Sequence, residues 1–375
     1  MAPAKGAGVA MVLDRRALNR ALLERQLLLE RRHLPALEAI RHLVGLQSQA
    51  PGPPYVGLWS RLADFSFDEL AELITDRKAV RVALLRGTIF LVDGDDCLRL
   101  RPLMNDFLVR NLWATHGTAG LTGADLAEVA AAGRAAVEAE PLTFKRLGEA
   151  LAGRWPDSDP RALVLAVRAT VPLVQVPPRG LWGRSGQSAH TSAESWLGRP
   201  LSGEGTRAEL VRRYLAAFGP ATVKDVQTWS SLTGLGEVVE RLRPELRTYR
   251  DEHGRELFDV PDGPLPDPTV PAPVRLVAGF DNMLLSHADR ARVISEADRG
   301  RVFTVNGIIR PTVLVDGFVH GKWDMKAARG TATLTVDLFR PVTEADRAAI
   351  HAEATALLAA AHPGAEPTVL VSAGR

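Results

Sequence analysis

Two glutamines separated by one serine stand in the stretch Gly45-Leu46-Gln47-Ser48-Gln49-Ala50-Pro51, where an apolar helical pattern runs into a group of prolines. A carboxamide accepts a hydrogen bond through its oxygen and donates two through its nitrogen. A pair of them aimed at one point could hold a water and the atom that the water attacks. The residues from Pro35 to Gln49 read as a helix, with Pro35 at a favoured first position and Leu37, Ile40, Leu43 and Val44 along one side. Residues two apart on a helix diverge by about 200°, so the two side chains share a target only if the chain bends near them. Pro51, Pro53 and Pro54 supply such a bend. The alternative is that both glutamines cap the end of that helix.

Other constellations are less economical as sites. Asp93-Gly94-Asp95-Asp96 spaces three carboxylates as a metal cluster would, but it reads more simply as a turn entering a helix. His287 and Asp289 lie in a stretch that reads equally as a loop or as a helix N-terminus. Cys97, the only cysteine, sits among leucines and reads as a small buried hydrophobe; alone it forms no internal disulfide, which suits a reducing cytoplasm. No Gly-x-Ser-x-Gly elbow, His-Glu-x-x-His pair or phosphate-binding glycine loop occurs, and no metal or other cofactor is expected.

The chain has 375 residues, enough for two or three compact units, with an ordinary hydrophobic fraction of 46%. No apolar run approaches membrane-spanning length. The net charge is only +2, yet of 46 basic residues all but six lysines are arginines. Arginine's planar fork suits phosphates and guanine edges, so the composition permits nucleic acid without requiring it; a genome bias that also enriches Ala, Gly and Pro explains it equally well.

The elements that must position the glutamines recur. Residues 1–13 read as a disordered lead-in. Helical patterns over Asp14–Leu29, Pro35–Gln49 and Ser66–Arg77 precede a hairpin, Val80–Leu85 and Thr88–Val92, with its turn at Arg86–Gly87. Helix, helix, helix, hairpin is the winged-helix order. A second copy combines helices Thr143–Leu151 and Arg161–Val171 with a Gly-rich wing, 174–184. A third has a Thr206-capped helix to Phe218, a helix Val223–Ser231 with Trp229 as core anchor, a helix Gly234–Leu242, and strands Leu246–Tyr249 and Glu256–Val260. The units are placed at 14–140, 141–200 and 201–262. After a Pro-rich linker, residues 274–375 read as a β-rich α+β unit, expected as a partly closed barrel: strands Val274–Val277, Arg301–Val305, Thr312–Val315, Phe318–Trp323 and Thr331–Leu338, a helix Glu344–Ala361, and a strand Pro367–Val371. The wings carry Arg86, Arg179 and Arg184, and Lys224 opens a helix; these four are the expected DNA contacts.

Four stretches together resemble the AlkZ/YcaQ family of winged-helix DNA glycosylases: Gly-Leu-Gln-Ser-Gln-Ala-Pro (45–51), Leu-Arg-Gly-Thr-Ile-Phe-Leu-Val (85–92), Pro-Pro-Arg-Gly-Leu-Trp-Gly-Arg-Ser-Gly (177–186) and Phe-Asp-Asn-Met-Leu-Leu-Ser-His-Ala-Asp-Arg (280–290). The resemblance runs from about residue 14 to 372. It implies a C-shaped α+β protein of tandem winged helices with a β-rich C-terminal unit. It also implies excision of bulky alkylated purines, including unhooking of interstrand crosslinks, and resistance to a DNA-alkylating natural product. The family's catalytic pattern falls on Gln47 and Gln49. Two departures stand out: the middle residue is the polar Ser48, and Phe90 occupies a position where many relatives carry histidine.

The implied chemistry is coherent. Alkylation at N7 or N3 puts positive charge on the purine and activates it as a leaving group, so the enzyme has to place a water and tolerate an oxocarbenium-like sugar. A neutral amide can position water but is too weak a base to deprotonate it. The expectation is a monofunctional, cofactor-free glycosylase acting on double-stranded DNA with alkylated purines, cytoplasmic and nucleoid-associated, with neither membrane nor obligate protein partner. The rival readings are a winged-helix transcriptional regulator and a damage-binding protein that does not cut.

Overall fold

The computed structural model describes residues 11–116 and 120–373. Residues 1–10 of the expected lead-in lie outside them. Val12–Leu13, expected to be disordered, instead form a short strand, β1.

After β1 come α1 (Arg15–Arg25), α2 (Ala36–His42), β2 (Leu46–Gln47), α3 (Pro53–Trp59), α4 (Phe67–Thr75), β3 (Ala79–Ala83) and β4 (Ile89–Asp93). The helix expected to run through Gln49 therefore stops at His42. Val44, left-handed at φ +55°, ends it, its N–H on Arg41 O and the next, Gly45 N–H, on Ile40 O; Gly45, at φ +90°, continues the turn, and a Cβ there would lie 2.6 Å from Val92 Cγ1. Nor do the prolines end a helix. Pro53 and Pro54 open α3, where a missing N–H costs nothing.

Next are α5 (Gly94–Leu100), α6 (Asn105–His116), α7 (Leu126–Ala139), β5 (Leu142–Thr143), α8 (Phe144–Ala152), α9 (Pro160–Thr170), β6 (Leu173–Val176), β7 (Ala189–Ser192) and α10 (Ala193–Leu197). The Asp93 carboxylate caps α5 by accepting from Asp95 N–H, as its turn-like spacing suggested. Helix α7, unrecognised in the sequence, is capped by Asp125. There follow α11 (Arg207–Phe218), α12 (Val223–Ser230), α13 (Leu235–Leu242), β8 (Arg247–Asp251) and β9 (Glu256–Asp259). Thr222 and Asp225 form a reciprocal capping box on α12, and Trp229 is fully buried.

One order recurs three times: helix, strand, helix, helix, strand, strand. It runs α2-β2-α3-α4-β3-β4, then α7-β5-α8-α9-β6-β7, then α11, an Ala221 bridge, α12-α13-β8-β9. Each time the strand between helices pairs with the last strand, which also pairs with its predecessor. The first two copies share a six-stranded sheet, β2-β4-β3-β6-β7-β5, through pairing of Arg81 with Gln175 and Val82 with Val174.

The C-terminal unit comprises β10 (Arg275–Val277), α14 (Glu296–Val302), β11 (Thr312–Val315), β12 (Phe318–Ala328), β13 (Thr331–Leu338), α15 (Glu344–Ala361) and β14 (Glu366–Ala373). Its five strands form an open sheet with β10 and β14 at the edges, rather than a closing barrel. The strand expected at Arg301–Val305 is instead the end of α14 and one bridge, Phe303 to Ile309. Ser295 caps that helix, with Glu296 and Asp298 in its first turn and Arg299 and Arg301 in its last, the charge order that a helix dipole favours. Two cores cross the unit boundaries. One gathers Val82, Phe90, Tyr214, Trp229 and Leu284; the other sets Ile40, Leu58 and Leu70 against Val336 and Leu357.

Candidate active site

Extended backbone, not a bent helix, presents the glutamines. Leu46 pairs with Leu91 and Gln47 with Phe90, and Ser48 N–H donates to Ile89 O at 2.7 Å. The regular ladder ends there. Ser48 O is taken by Arg81 Nη2 at 2.7 Å, and Ile89 N–H donates to Gln49 Oε1 at 3.2 Å. A side-chain carboxamide thus stands where the ladder would use a backbone carbonyl.

Gln47, 8% exposed, is held from the other end of the same hairpin. Arg86 and Gly87 are the two left-handed residues of the β3–β4 turn, at φ +55° and +68°, and Thr88 N–H closes it onto Leu85 O. These are the angles of a tight hairpin turn whose twist matches the strands. The conformation brings the Arg86 guanidinium back over the Phe90 ring, 5.2 Å from its centroid. Its Nη2 donates to Gln47 Oε1 at 2.7 Å and to Asn282 Oδ1 at 2.9 Å, and its Nη1 donates to Trp229 O at 2.9 Å. Burial, with Arg290 nearby, pushes the Arg86 pKa down to about 10, so it is charged at neutral pH.

Asn282 is itself fixed. Its Nδ2 donates to Gly45 O at 3.1 Å, and the preceding Asp281 pairs at 2.9 Å with both amino groups of Arg61, the pair being almost fully buried. Three stretches distant in sequence, 45–49, 229 and 281–282, therefore converge on Arg86. Because a guanidinium only donates, the Gln47 oxygen must face it; Ile89 N–H fixes the Gln49 oxygen likewise. Each carboxamide keeps its NH2 group and the second lone pair of its oxygen for a substrate or water.

Of the four expected DNA contacts, Arg86 is half-buried and commits its guanidinium to this network. Arg179 is half-buried and donates to Gly186 O within its own loop. Arg184 is exposed, with no carboxylate partner among the described residues. Lys224 is exposed on a groove where it and Arg255 face four carboxylates, Asp225, Glu240, Glu256 and Asp289, a net negative lining that disfavours phosphate. His287 is buried against Phe218 O, and its pKa is pushed down to about 3 by burial and Arg292, so it is neutral at pH 7. Cys97 is fully buried, its thiol pushed up to about 12 by burial.

Sequence reasoning missed Asn282 and Arg81 as site residues. Arg81 carried a signal: a charge inside the apolar run Ala79-Val80-Arg81-Val82-Ala83, every residue of which is buried. Asn282 lies within the family-like stretch 280–290, but nothing local assigned it a role, because its partners come from elsewhere in the chain. Among the described residues no cluster of His, Cys, Asp and Glu could hold a metal ion, and no helix is long and apolar enough to cross a membrane.

Comparison with known proteins agrees with this architecture. The family model described as "DNA glycosylase AlkZ-like" matches residues 40–360. An interstrand DNA cross-link repair glycosylase of Streptomyces sahachiroi is 30% identical over 156 residues, a stretch covering 38% of this chain and 40% of that protein's length. The solved structure of the Streptomyces sahachiroi DNA glycosylase AlkZ superposes with a TM-score of 0.80 at 21% identity, covering 96% of this chain and all of that one. A family match over most of the chain, together with the shared fold, identifies this protein as a member of the AlkZ-like DNA glycosylase family.

Proposed function

We propose that this protein is a monofunctional DNA glycosylase that hydrolyses the N-glycosidic bond of bulky, cationic alkylpurines in duplex DNA, crosslinked purines included. The observation that carries the reading is the fastening of both carboxamides to one hairpin, Gln47 by Arg86 and Gln49 by Ile89. Neither side chain is a base. Held by their oxygens, they can orient a water toward the anomeric carbon while the charged purine leaves. Rigid holding matters because groups that pre-exist in the reactive orientation need no rearrangement in the transition state.

The three recurrences are read as tandem winged helices, which with the C-terminal sheet form a C-shaped cradle for a duplex. Arg184 is the first candidate for the backbone, and Arg179 follows if its loop bond to Gly186 exchanges for a phosphate. The name of the Streptomyces relative supports crosslink repair as the setting.

The test uses a duplex with a single bulky N7-alkylguanine. Gln47→Ala and Gln49→Ala are each expected to slow single-turnover release of the free base about 100- to 1,000-fold while duplex affinity stays near that of the parent. Unchanged rates in both variants would remove the carboxamides from the mechanism.

A further inference from the structure

Arg81 lies in the middle of β3, 2% exposed, on the sheet face opposite Gln47. No carboxylate pairs with it among the described residues. Burial, with Arg179 nearby, draws its pKa down to about 10, so the side chain remains charged at neutral pH. A buried cation without a counter-charge is costly, and an apolar residue between Val80 and Val82 would pack there at less cost.

The two hydrogen bonds of the guanidinium go to one residue, and Nη1 is buried without a partner. Nε donates to Ser48 Oγ at 2.9 Å and Nη2 to Ser48 O at 2.7 Å, gripping both side chain and backbone. The fold is shaped around this grip. Gly180, at φ +109°, lies so close that a Cβ would sit 3.0 Å from Arg81 Cδ and 3.3 Å from Nη1. The loop that carries Gly180 is pinned in turn: Tyr55 Oη donates to Gly180 O at 2.9 Å and accepts from Trp182 N–H at 3.1 Å.

The consequence falls on Gln49. With Ser48 O drawn to Arg81, Ile89 N–H is left without its ladder partner and takes the Gln49 carboxamide instead. Without Arg81, Ser48 O would return to Ile89, the strand would run on, and Gln49 would lose its fastening. We propose that Arg81 is a positioning residue for base excision, acting through Ser48 to turn the strand and set the Gln49 carboxamide. This inference rests on the proposed glycosylase reading.

The experiment is a double-mutant cycle on the same N7-alkylguanine duplex. Arg81→Met is expected to slow single-turnover excision about 10- to 100-fold, as a displacement near 1 Å does, with duplex Kd within about twofold of the parent. Ser48→Ala, which keeps the carbonyl grip, should slow excision less than Arg81→Met does. The decisive variant combines Arg81→Met with Gln49→Ala: if Arg81 acts through Gln49, the double variant is no slower than Gln49→Ala alone. Losses that multiply overturn the proposal, as does an Arg81→Met enzyme that excises within twofold of the parent. Should Arg81→Met fail to fold, Arg81→Lys, which keeps the charge but not the fork, is expected to lose about 3- to 10-fold with the same non-additivity. A parent that excises nothing removes the glycosylase reading and this inference together; slow Gln49→Ala with fast Arg81→Met removes the inference alone.

Discussion

Replacing Arg86 by Met gives the sharpest contrast between a wing residue that contacts phosphate and a half-buried residue that orients Gln47. The substitution deletes three hydrogen bonds of 2.7–2.9 Å, to Gln47, Asn282 and Trp229. Hydrogen bonds from a charged donor contribute about 1.5–3 kcal/mol each, but removing the cation also relieves its desolvation, so a net loss of about 1–3 kcal/mol in stability is expected. Trp229 O stays unsatisfied, and Gln47 Oε1 and Asn282 Oδ1 lose their donor. Gln47 then no longer has a fixed oxygen. A misplacement of about 1 Å costs roughly 100-fold in rate, which is about 2.7 kcal/mol of barrier. The assay is single-turnover release of base from the N7-alkylguanine duplex, with duplex Kd measured across a salt series and the melting temperature of each variant. Slower excision with unchanged Kd and unchanged salt slope supports the orienting role, and Arg86→Lys should recover part of the rate. A weakened Kd whose salt slope falls by about one charge would instead make Arg86 a phosphate contact. A rate within twofold of the parent in a folded Arg86→Met protein would refute the reasoning altogether.

Three further outcomes follow from the same geometry. Because the groups bonded to the carboxamides are the Ile89 N–H and an arginine with a pKa near 10, the excision rate should be flat from about pH 6 to 9 and fall only above about 10, as Arg86 loses its proton; a step near neutrality in the pH–rate profile would expose an unrecognised base. Gln49→Asp brings a carboxylate toward the developing oxocarbenium ion, so its rate relative to the parent should rise more on a simple N7-methylguanine duplex than on a bulky cationic adduct; the opposite ratio, in a variant that melts like the parent, would mean that Gln49 only holds Ile89. Arg184→Ala should lower the salt dependence of duplex binding by about one charge equivalent, whereas Lys224→Ala, in its acidic groove, should leave it unchanged.

Local chemistry settled what was legible in the sequence. Thr206, Thr222 and Ser66 announce helix starts because their hydroxyls satisfy free N–H groups, and each does so in the structure. The alternation in Thr331–Leu338 marks a strand with one buried face, and its observed bounds are the same. The Gln-Ser-Gln spacing pointed to paired carboxamides. Their conformation was not legible, since the helix ends on a left-handed valine, Val44, and the space that admits only glycine at 45 is set by Val92 and Leu91, on a strand more than forty residues away. Pro53 and Pro54 can end one helix or begin another, and tertiary packing chose the second. Arg86 was rightly placed in a hairpin turn, but whether its side chain faced DNA or the protein depended on Trp229 and Asn282, which no local pattern links to it. The sequence alone determined the residue types able to position a water. Which atoms hold them was decided by contacts between distant segments, where a buried donor must find its acceptor wherever the fold supplies one.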